Sequence, residues 1–165
     1  FKRHNVKANF IEMDALNLDK KLLSKFDVSM SFGTAEHFLG EKRIKFIKSH
    51  FDVLKKGGLT FIAVPNKWNL PYSLWNFLSE SFGRWRFGEE YPFSVIELRK
   101  IGRVLNKKFD FFGVYLFTSS FNIRSRIRSI MGIRKSYNIK NLRRQIGTHF
   151  DKYFSRTIVA VARNA

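Results

Sequence analysis

Two apolar runs, each closed by a short polar segment, organise the first part of the chain. FDVSMSFGTAEHF (26–38) opens with Asp27, follows a strand pattern from Val28 to Phe32, turns at Gly33 and carries Glu36 and His37 onto the next segment. LKKGGLTFIAVPN (54–66) sets Gly57 and Gly58 ahead of a continuous apolar strand from Leu59 to Val64, which Pro65 ends. Between the two runs, Ile44, Ile47, Phe51 and Leu54 recur at helical spacing, and Phe46, His50 and Val53 broaden the same face. The spacing predicts a helix over 41–56 that covers the sheet. Two strands that each end in a loop of site-type residues predict an open α/β sheet with a ligand at the strand ends.

The alternation continues downstream. Residues 19–25 predict a short helix or turn, and Pro71 begins a helix in which Leu74, Leu78 and Phe82 share a side. That helix belongs to an aromatic segment, 67–93, longer than a minimal connection. Ser94 and Glu97 form a capping box, and Val95, Leu98, Ile101 and Leu105 give the stripe of the next helix. A strand is expected over 109–118 and a last one over 156–161. The segment 122–151 reads as a basic insertion of short helices broken at Gly132 and Gly147. There is no internal repeat.

Composition narrows the function classes. At 165 residues the chain has the size of one domain. It has no cysteine, which excludes disulfides, thiolate metal sites and cysteine nucleophiles. No apolar run approaches the roughly 20 residues that cross a bilayer, and the expected compartment is the cytoplasm, with peripheral membrane contact as an option. The net charge of +18 is uneven: residues 103–150 hold eleven Lys and Arg against one acid, Asp110. Such a face attracts anionic partners, nucleic acid or an anionic membrane surface, or is simply a solvated face. No obligate protein partner is inferred.

The paired motifs resemble the fourth and fifth strands of class I S-adenosylmethionine-dependent methyltransferases, in the branch that includes ubiquinone and menaquinone biosynthesis enzymes. There the fourth strand reads FD, apolar run, S, then E-H, and the fifth reads L-K-P-G-G, apolar run, P-N; Lys56 stands here for the proline. NFIEMDALNL (9–18) is similar to the third strand of that family. The family's glycine-rich turn after its first strand and the acid ending its second are not in this sequence. The resemblance therefore implies a Rossmann-like methyltransferase sheet that is partial, its first two strands missing, from the C-terminal part of a larger enzyme. Its full strand order would be 3-2-1-4-5-7-6 with the last strand antiparallel. The piece alone is expected to be inactive, and either poorly folded or with its strands paired differently.

The resemblance also implies site residues. Asp14 would hold the adenine amino group and the Ala15 amide a ring nitrogen. Ser31, Phe32 and Gly33 would border the methionine end of the cofactor, S-adenosyl-L-methionine. Glu36 and His37 would lie beside the reacting centre, His37 as the side chain suited to take a proton near neutral pH and Glu36 organising the loop. Asn66, Trp68 and Trp75 would meet the acceptor, in a lid at 67–93. With His4, His50 and His149 at unrelated places, no metal site is expected.

Two functions emerge as expectations: methyl transfer to a small-molecule or lipid-like acceptor, or a non-catalytic basic module that holds nucleic acid or an anionic membrane surface. Cofactor binding separates them.

Overall fold

A computed structural model of the protein describes residues 7–83, 88–114 and 151–165, without the side chains of Trp75, Ser79 and Glu80. In chain order these residues form β1 (Phe26–Phe32), α1 (Gly40–Asp52), β2 (Leu54–Pro65), α2 (Leu70–Ser81), α3 (Val95–Val104), β3 (Asp110–Val114), the single turn α4 (Asp151–Phe154) and β4 (Thr157–Arg163). The sheet has the order β1-β2-β4-β3. Strands β1 and β2 are parallel, and β4 runs antiparallel to both of its neighbours. This is the 4-5-7-6 portion of the order that the resemblance implies, with the antiparallel strand where expected.

Strand pairing decides which side chains meet the helices. Ile62 and Val64 of β2 pair with Ala160 and Ile158 of β4, so all four share one face. Phe46, Ile47 and Phe51 of α1 and Val95, Leu98 and Ile101 of α3 pack onto that face and form the core. The helix α3 begins as its sequence predicts, because the Ser94 side chain accepts from the Glu97 amide at 3.1 Å. Gly113 of β3 sits where only glycine fits, since a Cβ there would stand 2.3 Å from the Asp151 carbonyl oxygen.

In β1 the alternation points the other way. Ser29 pairs with Thr60 and Ser31 with Ile62, so the serines face the helix layer and Val28, Met30 and Phe32 face away from it. Those three are exposed, Phe32 to 67 %. Ser29 Oγ instead meets the buried His50 Nδ1 of α1 at 2.5 Å.

Burial holds the His50 pKa down at about 4, against an ordinary 6.5. As pH falls through this window the unfolded chain takes a proton that the native chain refuses, so native stability drops. The loss should reach on the order of 3 kcal/mol from pH 6.5 to 4. Urea unfolding at a series of pH values checks this. His50→Gln should flatten the slope, and a wild type no more acid-sensitive than the variant would count against it.

Several expectations need correction. The helix predicted over 41–56 ends at Asp52, and residues 54–56 open β2. The reason lies at the far end of the chain. The Asn164 side-chain amide donates to the carbonyls of Phe51, Leu54 and Lys55, and the Asn164 backbone carbonyl accepts from the Gly57 amide. These bonds take up carbonyls that a continuing helix would have used. The strand expected within 9–18 is not formed. No described strand lies beside it to complete a ladder, and Phe10 and Ile11 remain exposed. The last strand runs two residues beyond its predicted end, whereas the short helix or turn expected in 19–25 is formed, as one turn, Lys20–Leu22, capped by Asp19. Residues 115–118 and the basic insertion up to 150 lie outside the described residues.

Candidate functional site

Parallel strands β1 and β2 end side by side, and the segments that leave their ends build the site. Gly33 turns the chain at φ +66, and its amide still bonds the Ala63 carbonyl of β2 at 3.1 Å. The next residues wind into a 3₁₀ turn, Ala35–His37, in which Ala35 and Glu36 are buried. After β2, Asn66 forms a bridge to Phe93, which brings residues 88–93 back over the strand ends. Two bonds fasten that returning segment to the turn: Tyr91 N–H to the Glu36 carbonyl, and His37 Nδ1 to the Glu89 carbonyl, both at 2.9 Å.

The second bond fixes the histidine. A carbonyl only accepts, so Nδ1 carries a hydrogen, and in the neutral ring the lone pair is on Nε2. From α2, the buried Tyr72 donates its hydroxyl to Glu90 Oε2 at 2.5 Å, and the Arg156 guanidinium lies 5.3 Å from the centre of the Tyr72 ring. These groups enclose a cavity of about 450 Å³, lined by Phe32, Gly33, Glu36, His37, Ala63, Val64, Pro65, Tyr72, Glu90, Arg156 and Thr157.

Electrostatics in the cavity are uneven. Glu36 is 2 % exposed, and its Oε2 has no hydrogen-bond partner. Burial raises its pKa above the usual carboxylate range, with repulsion from Glu90 adding to this and a bond to its own amide, His37 and Arg43 working against it. Burial and the bond to Glu90 hold the Tyr72 hydroxyl protonated well past its ordinary range. The wall is thus apolar along the strands and carries two carboxylates, an imidazole and a phenol at one end.

Behind it stands Arg43 of α1, 5 % exposed. Its guanidinium donates to the Phe38 carbonyl at 2.7 Å, to the Tyr91 carbonyl at 2.6 Å and to the Glu97 carboxylate, and it lies 3.9 Å from the Phe93 ring centre. One side chain therefore joins the turn after β1, the returning segment and α3.

Of the residues singled out in the sequence, Phe32, Gly33, Glu36 and His37 meet in this cavity. Ser31 is next to it in sequence, on the helix side of β1, its Oγ buried without a partner. Asp14 and Ala15 do not line it. The Asp14 carboxylate accepts from the Leu16 amide and the Asn17 side chain, and these bonds lower its pKa. Asn66 is fully buried, and its amide donates to the carbonyls of Tyr153 and Ser155 at 3.0 and 2.8 Å. That commitment ties β2 to the turn before β4 and leaves the amide no reach into the cavity. Trp68 stacks on Tyr153 outside the cavity, and the side chain of Trp75 lies outside the described residues.

Sequence reasoning missed Glu90, Arg156 and Thr157 as site residues and counted Tyr72 only among the aromatics. Glu90 had no local signal, because 53 positions separate it from His37. Among the described residues no helix is long and apolar enough to cross a membrane.

No protein-family model matches the chain, and no curated protein matches it significantly. Solved structures do. A SAM-dependent methyltransferase from Thermotoga maritima superposes with TM-score 0.64 at 14 % identity, over 94 % of this chain and 63 % of that one. A SAM-dependent methyltransferase from Archaeoglobus fulgidus gives 0.53 at 20 %, over 95 % and 68 %. Magnesium protoporphyrin IX methyltransferase from Synechocystis, with bound SAH, gives 0.52 at 13 %, over 94 % and 51 %. The chain thus spans less than two thirds of the Thermotoga protein. At these identities the likeness is one of fold, and this chain has the Rossmann-like fold of the class I SAM-dependent methyltransferases.

Proposed function

We propose that this protein transfers a methyl group from S-adenosylmethionine to a small-molecule or lipid-like acceptor held in the cavity at the ends of β1 and β2. The observation that carries the reading is the meeting of Glu36, His37, Tyr72 and Glu90 at the strand ends of a methyltransferase fold, where open α/β sheets hold their ligands. The residues present fit the methionine end of the cofactor. The turn at Gly33 adopts a φ of +66, where a Cβ would stand 3.4 Å from Glu36 Oε1, and Phe32 offers an exposed ring beside it. When bound, the cofactor supplies a methyl group on a positively charged sulfur.

The work left to the protein is positioning and proton management. An acceptor pressed between the apolar strand ends and the polar end of the cavity is held in one orientation, which is the larger part of catalysis for a bimolecular transfer. His37, with Nδ1 tied to Glu89, presents Nε2 as the proton acceptor for an oxygen, nitrogen or carbon acid. The protonated Tyr72 donates to Glu90 and keeps that carboxylate in place. A lipid-like acceptor is supported by α2, which gives Tyr72 to the cavity and whose Leu70, Leu74 and Phe77 are exposed, as is Phe82 just after it. The compartment that goes with this reading is the cytoplasm, at a membrane surface where the acceptor is a lipid.

The test uses the longest chain that the reading frame encodes. Incubated with methyl-tritiated S-adenosylmethionine and an extract of soluble and lipid metabolites, it should transfer label to an organic acceptor. His37→Ala should lower the rate by about 10²-fold, in the range of a lost proton acceptor. Absence of transfer by the folded chain, or full transfer by His37→Ala, would contradict the reading.

A further inference from the structure

Glu36, His37 and Glu90 each bring one metal-binding atom to a single place, and all three atoms lie within 4.8 Å of one another. We propose that this trio is a binding site for a divalent cation, of the class that takes mixed carboxylate and imidazole donors, such as Mn²⁺. The three donors come from two segments distant in sequence, the 3₁₀ turn after β1 and the segment returning over β2, so a cation there would lock the two together.

Three observations point to a ligand. Glu36 Oε2 is buried and has no hydrogen-bond partner, in a side chain only 2 % exposed. A buried carboxylate oxygen left unpaired is costly, and a cation supplies the missing partner. His37 has its Nδ1–H on the Glu89 carbonyl at 2.9 Å, which leaves Nε2 as a lone pair in a fixed ring orientation; this outer bond is the usual support of a ligating imidazole. Glu90 is held in the same manner, because the Tyr72 hydroxyl occupies its Oε2 and leaves Oε1 for a ligand.

Donor chemistry selects the ion. Two carboxylates and one imidazole, with no thiolate available anywhere in the chain, favour borderline-hard ions such as Mn²⁺ over soft ones. Three protein donors leave coordination positions open towards the cavity. An oxygen of a bound acceptor can take one of them, and the cation's charge then favours its deprotonated form, the proton going to water. Without the ion His37 Nε2 accepts from the acceptor directly; with it, the ion stands between them. The same cavity is lined by Arg156, whose guanidinium lies over the Tyr72 ring, and Arg43 stands behind Glu36.

The site goes beyond the methyl-transfer reading and does not depend on it. Paramagnetic resonance of Mn²⁺, titrated with the longest chain of the reading frame, counts bound ions. The wild type should bind one Mn²⁺ per chain, and His37→Ala and Glu90→Gln should each weaken it at least tenfold. Both leave the core alone: His37 is exposed, and glutamine keeps an acceptor for Tyr72. Glu89→Gln, which keeps the carbonyl that holds His37, should bind as the wild type does. No Mn²⁺ binding by the folded wild type, or equal binding by His37→Ala and Glu90→Gln, overturns the proposal. Titration of S-adenosylhomocysteine in the presence of a chelator keeps the two readings apart. Cofactor binding without Mn²⁺ binding sinks only the metal site, and Mn²⁺ binding without cofactor binding sinks only the methyl transfer.

Discussion

Arg43→Ala should lower the unfolding free energy by about 2–3 kcal/mol, more than an exposed ion pair is worth, because the guanidinium is buried while Glu97 is still reached by solvent. The guanidinium has three separate recipients, the carbonyls of Phe38 and Tyr91 and the carboxylate of Glu97, and it covers the Phe93 ring. Truncation leaves two part-buried carbonyls and one carboxylate without their donor, as well as a void beside a fully buried phenylalanine. Arg43→Lys keeps the charge but not the planar fork, so it should recover only part of the loss. Urea unfolding measures both. A loss below about 1 kcal/mol for the alanine variant, the level of an exposed ion pair, would show that the clamp is not structural. Because Arg43 also holds the segment that carries Glu89 and Glu90, the variant should lose activity before it loses its fold.

Gly33→Val should cut the affinity for S-adenosylhomocysteine at least tenfold. At φ +66 a β-branched residue is strained, and the left-handed region alone costs roughly 1–2 kcal/mol without glycine. A Cβ would also stand 3.4 Å from Glu36 Oε1, and the methyl groups beyond it would enter the space assigned to the cofactor's methionine end. A melting curve run in parallel separates strain on the fold from loss of binding. A variant that melts early yet binds with unchanged affinity would remove Gly33 from the cofactor site.

How far the chain could be read beforehand depended on the range of the interactions. The strand over 28–32, the Ser94 side-chain cap on the Glu97 amide and the turn at Gly33 are local, and the structure forms all three, while the Glu97 carboxylate goes to Arg43 instead of closing the box. Glu36 and His37 come directly after the strand, so their place at its end was legible too. The end of α1 was not, because Asn164, which caps the residues after it, lies at the opposite terminus of the chain. Residues 9–18 carry a strand-like pattern, yet a strand exists only against a neighbour, and none of the described strands is beside them. Asn66 fitted a pattern for acceptor contact; its burial among the carbonyls of the turn before β4 is a tertiary fact with no local trace. The same holds for Glu90, which reaches the site only because Asn66 and Phe93 pair and Arg43 fixes the segment between.

One titration bears most directly on the central claim, that the strand-end cavity is a methyltransferase site. S-adenosylhomocysteine is titrated calorimetrically into the longest chain that the reading frame encodes, beside Gly33→Val. Saturable binding at one site per chain, weakened in the variant, is the predicted result. No binding by a chain shown to be folded, or binding indifferent to Gly33, would contradict it.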